Sequence, residues 1–484
     1  MARRHDLACM TLRVETFQQE PISLDRRLQR RLSFVRERAA TAPPASFPEL
    51  FPKTKELAAA YRLLSNGSVQ PAHMLKDHIA ETVGRCEAAG DVLLLADTSE
   101  MEFGTPRRGD GPLDRWRRGF LCHVNLAVAG VHERRVLGVL NMECWTREEL
   151  PETARSKQEK KRYDQARSSD PNKESLVWQR GVMASHCQLA GRARTISVQD
   201  SDADDYALVS AFQEMGLHHV TRSKHNRALG GDFDELKLNE LMLNAPVQIE
   251  RTVPISSRGQ GPGNGKRPPP KRARTHPARR ERTATLLVSC LNVEIKRTQN
   301  APSDAPNTLS LNVVRVFEPH PPEGEAPVEW RLLTSLPIGT RAEVEYIVDV
   351  YCVRWVVEEF FKALKTGCSL EDRQLDSTQA LVNATALFVP IATSLLDLRS
   401  LAEAKPDAPA EEAIPAEHVE VLKRLAINPL PTRPTAKDAL YGIANLGGHI
   451  VNNGRPGWLV LMRGYIKLVA FIEAKRRYDS FRDV

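Results

Sequence analysis

The chain has 484 residues, enough for about two to four domains with substantial cores, and its hydrophobic share of 41% is ordinary for a globular protein. The eight Cys are scattered, without a CxxC pair or a Cys/His zinc spacing, which argues against a disulfide scaffold or structural zinc and for a reducing compartment. The net charge of +7 is concentrated in Arg-rich clusters, which favours nucleic acid as partner, although each cluster alone is also typical of a solvated surface.

Residues 1–75 are predicted to be helical and basic. Ser23 is a candidate N-cap, apolar residues follow at helical spacing from Leu24 to Val35, and Pro43 ends the pattern. A second short helix is predicted over the segment KTKELAAAYRLLSNG. Two amphipathic helices with Arg on the outer face suit DNA grooves, and they suit any surface helix pair equally well.

From about residue 90 the pattern alternates between strands and helices. DVLLLADTS contains Asp97 at the end of an apolar run, and RTISVQDSDAD places Asp200 in the same position. CHVNLAVAGVHERRVLGVLNMECW predicts two strands joined by a tight turn near Gly130. This is the pattern of an α/β domain, in which ligands gather at the C-terminal ends of strands.

A β-rich block at about 246–340 interrupts this alternation. Within it, the Gly-, Pro- and Arg-rich segment 257–282 is predicted to be a mobile basic loop. A Pro/Ala/Glu-rich linker at 402–417 leads to a helical tail at 418–484. No apolar run reaches about 18 residues and the N-terminus lacks an apolar signal-peptide core, so the sequence predicts a cytoplasmic protein without a membrane partner.

The segment YCVRWVVEEFFKALKTG places Tyr351, Arg354, Glu358 and Lys365 at steps of three, four and seven residues. On one helix these steps keep all four side chains on one stripe. A single carboxylate among a phenol, a guanidinium and an ammonium makes little sense for packing. It suits a site where the acid holds a metal ion and its neighbours hold a nucleic-acid backbone.

Asp97, Asp200 and Glu358 are the candidate metal ligands. Phosphodiester cleavage with two Mg²⁺ needs several carboxylates held close together, and Mg²⁺ prefers oxygen ligands. Taken alone, an Asp after an apolar run, such as Asp97 or Asp200, is more typical of a turn or an N-cap. The acidic run DSDADD at 200–205 is also compatible with a local cation loop, although it lacks the glycine and terminal Glu of a calcium loop.

Taken together, these motifs resemble the bacterial DDE transposases with a Tyr-Arg-Glu-Lys signature, the IS-four family. The signature spacing Y-x2-R-x3-E-x6-K is met in full, DTS at 97–99 matches the first-acid motif, and VQDSDAD at 198–204 matches the second. RSKH at 222–225 and EWRLLTS at 329–335 also match. The family's Arg-Glu after its second Asp is replaced here by Ser201 and Asp202.

The resemblance implies an α/β, ribonuclease-H-like catalytic core with a β-rich insertion, flanked by helical N- and C-terminal domains. It assigns residues 1–75 to DNA binding, 76–400 to the catalytic domain with its insertion at about 246–340, and 401–484 to dimerisation. The implied activity is cut-and-paste transposition. Water nicks the transposon end, the freed 3′-hydroxyl forms a hairpin on the opposite strand, the hairpin is opened, and the 3′-hydroxyl attacks target DNA.

By the same resemblance, Asp97, Asp200 and Glu358 bind two Mg²⁺ ions, for which Mn²⁺ can substitute. Trp330 matches the family's stacking Trp for a flipped base, and without the family match a core Trp on a strand is the favoured interpretation. The residues expected to contact DNA are Tyr351, Arg354, Lys365, Trp330, Arg222, Lys224, Lys362, Arg26, Arg27 and Arg30. The expected partners are double-stranded transposon ends, target DNA and a second copy of the chain in the synaptic complex.

Two alternatives stay open at this stage. The chain could be a non-catalytic DNA-binding regulator of transposition, or a related nuclease that cuts DNA without joining it. The presence of all three acids and of the basic N-terminus disfavours the regulator. The expected location is the bacterial cytoplasm, in association with the nucleoid.

Overall fold

The computed structural model of the chain describes residues 23–41, 45–104, 107–114, 116–148, 173–255, 280–299, 301–450 and 454–482. These residues form two compact units, which we call unit 1 (the described residues of Met1–Thr195 and Val353–Val484) and unit 2 (those of Ile196–Cys352). The expected stop at Pro43 and most of the predicted basic loop, from 257 to 279, lie outside the described residues.

Unit 1 begins with the predicted basic helix, α1 (Arg26–Thr41), whose buried side includes Leu32 and Val35. Its N-cap is Asp25 and not the predicted Ser23, because the Leu28 N–H donates to Asp25 Oδ1 at 2.8 Å. A carboxylate at this position accepts an otherwise unsatisfied N–H of the first turn. The following helices are α2 (Phe47–Leu50), α3 (Thr54–Leu64) and α4 (Pro71–Ala89).

An antiparallel sheet follows in unit 1, and its strands confirm the predicted hairpin. The strands are β1 (Asp91–Glu102), β2 (Gly111–Pro112), β3 (Arg118–Ala129) and β4 (Arg135–Trp145). Each of the other three strands pairs with β3, whose inner ten positions are all buried. Helix α5 (Val177–Leu189) packs on β1, β3 and β4, with Gly181 against His123 and Asn125 of β3.

Unit 2 contains a mixed sheet. Its strands are β5 (Arg194–Gln199, which begins at the end of unit 1), β6 (His218–Arg222), β7 (Leu229–Gly230), β8 (Val247–Ile255), β9 (Arg282–Lys296), β10 (Thr308–Phe317) and β11 (Glu329–Thr334). Strand β5 runs parallel to β6, and every other pairing is antiparallel: β6 with β11, β11 with β10, β10 with β9, and β9 with both β7 and β8. The predicted β-rich block thus continues the sheet that β5 and β6 begin.

Helices α6 (Tyr206–Glu214) and α7 (Leu238–Leu243) cover one face of the unit 2 sheet. Tyr206 and Val209 of α6 and Met242 of α7 are buried in one core with strand residues such as Val293 and Leu311. These helices fix the loops that leave β5 and β6.

The predicted continuous signature helix is interrupted. Helix α8 (Arg341–Val353) ends one residue before Arg354, which is the N-cap of α9 (Trp355–Lys362), and a π-helical turn at Ala363–Gly367 follows. Arg354 keeps helical backbone angles, φ −48° and ψ −33°, so its side chain still lies one turn before that of Glu358. The wider π turn changes the predicted register at Lys365.

Four further helices complete unit 1: α10 (Thr378–Ala404), α11 (Ala416–Leu425), α12 (Ala436–Leu446) and α13 (Trp458–Arg482). Within the described residues, α10 is the one helix whose length and composition could span a membrane, which the sequence alone did not predict. However, 78% of its most apolar window is buried inside the protein, as in the core helix of a soluble domain.

The histidine His78 of α4 makes the stability of unit 1 depend on pH. Burial, with a contribution from Arg85, lowers the pKa of His78 from 6.5 to about 4. Its Nε2 accepts a hydrogen bond from the Val139 N–H at 3.0 Å, which requires that nitrogen to be unprotonated.

Because the folded pKa of His78 is lowered, its stabilising contribution is present above pH 6.5 and is lost as the pH falls towards 4. We expect the substitution His78→Gln to remove about 1.4 kcal/mol per pH unit from the slope of the unfolding free energy between pH 6 and 4. Denaturant titrations of both proteins at pH 7, 6, 5 and 4 measure this slope. Parallel curves for the two proteins would contradict the assignment.

Candidate active site

Two of the three predicted acids lie in unit 1 on elements that pack together. Asp97 is in β1, opposite Val124 of the buried strand β3. Glu358 is in the first turn of α9, and α9 packs against β1. The apolar side chains Val357 and Phe360 of α9 are fully buried, and this packing fixes the orientation of the helix.

A single guanidinium contacts both carboxylates. Arg354 Nη2 lies 2.9 Å from Glu358 Oε1, and Arg354 Nη1 lies 3.6 Å from Asp97 Oδ2. The three side chains are only 12–18% exposed. The predicted stripe is therefore confirmed for Arg354 and Glu358, and Asp97 of β1 lies against it.

The Asp97–Glu358 pair fits the donor set of a hard divalent cation. Both ligands are carboxylates, the oxygen donors that Mg²⁺ and Mn²⁺ prefer, and both already contact the same positive group. Arg354 acts here as a stand-in cation. Across the described residues no group of three or more His, Cys, Asp or Glu side chains is arranged to hold a metal, so this pair is an incomplete ligand set.

Thr98, the next residue of β1, contacts Asp97 and also His123 of the neighbouring strand β3. The Thr98 N–H donates to Asp97 Oδ1 at 2.8 Å, and Thr98 Oγ1 lies 2.9 Å from His123 Nδ1. Burial, with a contribution from Arg180, lowers the pKa of His123 to about 3, so this imidazole is neutral. The sequence analysis did not select His123. The only signal that could have pointed to it is a histidine within an apolar run that predicts a buried strand.

The two lysines of the signature region contact protein groups. Lys365 Nζ donates to the backbone carbonyl of Glu100 and lies 3.3 Å from Glu371 Oε1. Lys362 Nζ lies 2.6 Å from Glu359 Oε1 and is 48% exposed. Lys365 thus ties the π-helical turn to β1, and Lys362 lies at the surface.

In unit 2, Asp200 directly follows β5 and opens a run of acids, each with its own contact. Asp200 accepts from the Asp202 N–H at 2.8 Å and so caps the short 3₁₀ turn Ser201–Ala203. Asp202 pairs with Lys224, Asp204 is buried against Arg227, and Asp205 caps α6. With different partners for each carboxylate, the run is not a local cation loop.

The predicted basic residues Arg222 and Lys224 lie at the end of β6 and just after it, and Lys224 contacts this acidic run. Lys224 Nζ lies 3.1 Å from Asp202 Oδ1, and the lysine side chain is 48% exposed. Arg222 Nη2 lies 3.4 Å from the Glu329 carbonyl of β11. Both cations therefore lie at or just after the C-terminal end of β6, next to the end of its parallel neighbour β5.

Trp330 and Tyr351 are brought together in unit 2. Their ring centroids are 5.2 Å apart and their planes meet at 63°, an edge-to-face contact. Tyr351 is buried, with 5% of its surface exposed, and Trp330 is partly buried in β11. The structure therefore joins two residues that sequence reasoning placed beside the same flipped base.

The three predicted arginines of α1 lie on its outer face. Arg26, Arg27 and Arg30 are all exposed, whereas Arg36 turns inward and pairs with Asp77 of α4 at 2.5 Å. The outer face of α1 therefore offers several cations to a polyanion while its inner face fastens the helix to unit 1.

Two family models match the chain. The model "Transposase DNA-binding" matches residues 24–69, and "Transposase DDE domain" matches residues 191–388. The chain belongs to the DDE transposases. DNA is thus a partner of this transposase, and its basic helix α1 lies within the matched DNA-binding region. DDE transposase domains generally use divalent metal ions, in agreement with the carboxylate pair of unit 1.

One solved structure is similar along most of its length. It is described as the "Cryo-EM structure of piggyBac transposase synaptic complex with hairpin DNA", and the match covers 87% of this chain and 86% of that one at 9% identity. The TM-score is 0.26, too low to establish a shared fold. The family assignment therefore rests on the two family models.

The bridging position of Arg354 predicts how metal affects stability. Arg354→Gln leaves two carboxylates without their shared cation, so we expect the unfolding free energy of metal-free protein to fall by about 1–3 kcal/mol. Mn²⁺ should then recover more stability in the variant than in the wild-type transposase. Thermal unfolding with EDTA and with MnCl₂ measures both effects.

Lys362→Gln is the matched control, because it removes the ion pair of a half-exposed lysine on the same helix, worth about 0–1 kcal/mol. If Mn²⁺ stabilised the wild type and both variants equally, Arg354 would not be a stand-in for a metal ion.

Proposed function

We propose that this protein is a cut-and-paste transposase of the IS-four type, similar to the transposase of transposon five, with a ribonuclease-H-like catalytic core. The observation that carries the proposal is the pair Asp97 and Glu358, joined by Arg354, on the elements that the signature motif requires. The spacing of that signature is specific, and the two matched family models support the same class.

We infer that Asp200 joins Asp97 and Glu358 as the third ligand of two Mg²⁺ ions, with Mn²⁺ as a substitute. Bound there, the ions would supply activation of the attacking oxygen and stabilisation of the leaving oxygen in an in-line displacement at phosphorus. The protein's own contribution is to hold the carboxylates. Packing of α9 orients Glu358, Thr98 orients Asp97, and the capped 3₁₀ turn orients Asp200.

The DNA-contact residues divide by role in this proposal. Arg26, Arg27 and Arg30 bind the phosphates of the transposon end, since they lie exposed on the helix matched by the DNA-binding family. Lys224 and Arg222 bind the strand end near Asp200. Stacking of a displaced base on an aromatic ring contributes about 1–3 kcal/mol, and Trp330, partly buried beside Tyr351, is the residue assigned to it.

Excision by this route goes through a DNA hairpin and ends with transfer of the 3′-hydroxyl to target DNA. We propose that residues 1–75 bind the ends, 76–400 catalyse, and 401–484 dimerise, because pairing two ends requires two copies of the chain. The proposed location is the bacterial cytoplasm, at the nucleoid. A DDE nuclease that cuts without joining is the second candidate, and detection of strand-transfer products excludes it.

The isosteric substitution Glu358→Gln tests the catalytic assignment. It preserves a hydrogen-bond acceptor for Arg354 and removes the charge that a metal requires, so we expect nicking of transposon ends in Mg²⁺ to be abolished. Binding of the ends in gel shifts should persist, because the DNA-binding region at 24–69 is intact.

Glu359→Gln is the matched control for this prediction. Glu359 is the adjacent carboxylate, but it accepts from Trp458 and pairs with Lys362, so its substitution should leave nicking in place. Nicking by Glu358→Gln at the wild-type rate would refute the assignment. Wild-type binding without any cleavage in Mg²⁺ or Mn²⁺ would instead favour the non-catalytic regulator.

Neutralising the outer arginines of α1 tests the DNA-binding assignment. Each of Arg26→Gln, Arg27→Gln and Arg30→Gln should reduce the slope of log affinity against log salt by about one unit, because each removes one phosphate contact. Fluorescence anisotropy with an end duplex from 50 to 300 mM salt, roughly the range in which such slopes are measured, gives the value. Arg194→Gln, which removes an exposed ion pair with Asp91, should leave the slope unchanged. Equal slopes in all variants would show that the arginines of α1 do not contact phosphates.

A further inference from the structure

One buried carboxylate in unit 2 organises the turn that carries Lys224. Asp204 Oδ2 accepts from the Lys224 N–H at 2.7 Å, the His225 N–H at 3.0 Å and Ser223 Oγ at 3.1 Å. Its other oxygen accepts from Arg227 Nε at 3.2 Å and from Arg227 Nη2. A single side chain thus holds the whole turn from Ser223 to Arg227.

This pair is more deeply buried than an ordinary ion pair. The Asp204 side chain is 0% exposed and that of Arg227 is 4% exposed. Removing both charges from water is costly, and only close geometry with all lone pairs occupied compensates for it. The arrangement therefore has little freedom, so the two segments that it joins are held rigidly.

The two segments are the ones that carry predicted site residues. Asp204 is four residues after Asp200 and is separated from it by the 3₁₀ turn Ser201–Ala203, which Asp200 caps. Arg227 and the amides at 224 and 225 belong to the loop after β6, and Lys224 also reaches back to Asp202 at 3.1 Å. Asp204 therefore connects a candidate metal ligand to a candidate phosphate contact.

We propose that Asp204, paired with Arg227, is a positioning residue that sets Asp200 and Lys224 relative to each other for phosphodiester chemistry. The inference rests on the proposed function. In this role Asp204 contacts neither DNA nor metal. It acts by holding the two segments that carry Asp200 and Lys224. A misplacement of about 1 Å in such a pair is enough to slow the chemistry about 100-fold.

Another buried pair in unit 2 serves as a matched control. Arg282 and Glu318 are also joined by an ion pair at 2.7 Å, with side chains 11% and 3% exposed. Glu318 holds Arg282 of β9 and the Val328 N–H, which belong to the β-rich block and not to the loops after β5 and β6. Glu318→Gln should therefore lower the stability of the protein without moving Asp200 or Lys224.

The test measures single-turnover nicking of a transposon-end duplex against MnCl₂ concentration. Asp204→Asn keeps the shape of the side chain but offers one acceptor oxygen in place of two. We expect nicking at saturating Mn²⁺ to slow by about 10- to 100-fold and the half-saturating Mn²⁺ concentration to rise. End binding should be unchanged, and Glu318→Gln should show neither kinetic effect.

A double variant separates positioning from folding. Asp204→Asn leaves Arg227 buried without its anion, whereas Asp204→Asn with Arg227→Gln removes both charges and restores the melting temperature. If positioning is the role, the double variant stays slow despite its recovered stability. Recovery of nicking together with stability would show a merely structural pair and overturn the inference.

Hydrogen exchange in the wild-type protein supplies a readout that needs no variant. The amides of Lys224 and His225 should exchange as slowly as those of β6, because both donate to Asp204. Fast exchange would show that Asp204 does not hold this turn. If the wild type nicks DNA and Asp204→Asn nicks it equally well, the positioning role of Asp204 is rejected but the proposed function is not. Absence of wild-type nicking rejects the proposed function, and this inference with it.

Discussion

The guanidinium of Arg354 lies between the carboxylates of Asp97 and Glu358, and the rest of the site depends on this contact. Two like charges on neighbouring elements repel each other strongly where water is largely excluded. A cation between the two carboxylates therefore favours the packing of α9 against β1. In the metal-free protein that cation is Arg354. In the active complex we propose that divalent ions take over the neutralisation and Arg354 turns to a DNA phosphate.

Electrostatic pairing also arranges the acids of unit 2, but there each acid has a partner of its own. The acids from Asp200 to Asp205 each have a separate partner: a backbone amide, a lysine, a buried arginine or a helix N-terminus. Asp200, which caps the 3₁₀ turn, is the one of these acids that we propose as a metal ligand. The neighbouring acids build the turn that presents it. A cluster that looks uniformly acidic in sequence is thus divided between one candidate ligand and its scaffold.

The sequence predicted much of this arrangement. Alternating apolar runs predicted β1, β3 to β6 and the β-rich block, and the signature spacing placed Arg354 and Glu358 on one side of a helix. The sequence analysis missed features that depend on tertiary contacts. Asp25 and not Ser23 caps α1, since the cap is chosen by the geometry of the first turn. Three other features follow from packing that no local pattern encodes. They are the break of the signature helix at Arg354, the burial of Asp204 with Arg227, and the neutral His123 beside Thr98.

The most direct test of the central claim is the position of Mn²⁺ in a complex of the transposase with transposon-end DNA, located by anomalous X-ray scattering. The account predicts two peaks about 3.5–4 Å apart, with oxygens of Asp97, Asp200 and Glu358 as protein ligands and with Arg354 displaced from between the carboxylates. Mn²⁺ bound away from these three residues, with Arg354 still bridging Asp97 and Glu358 in a complex that cleaves DNA, would contradict it.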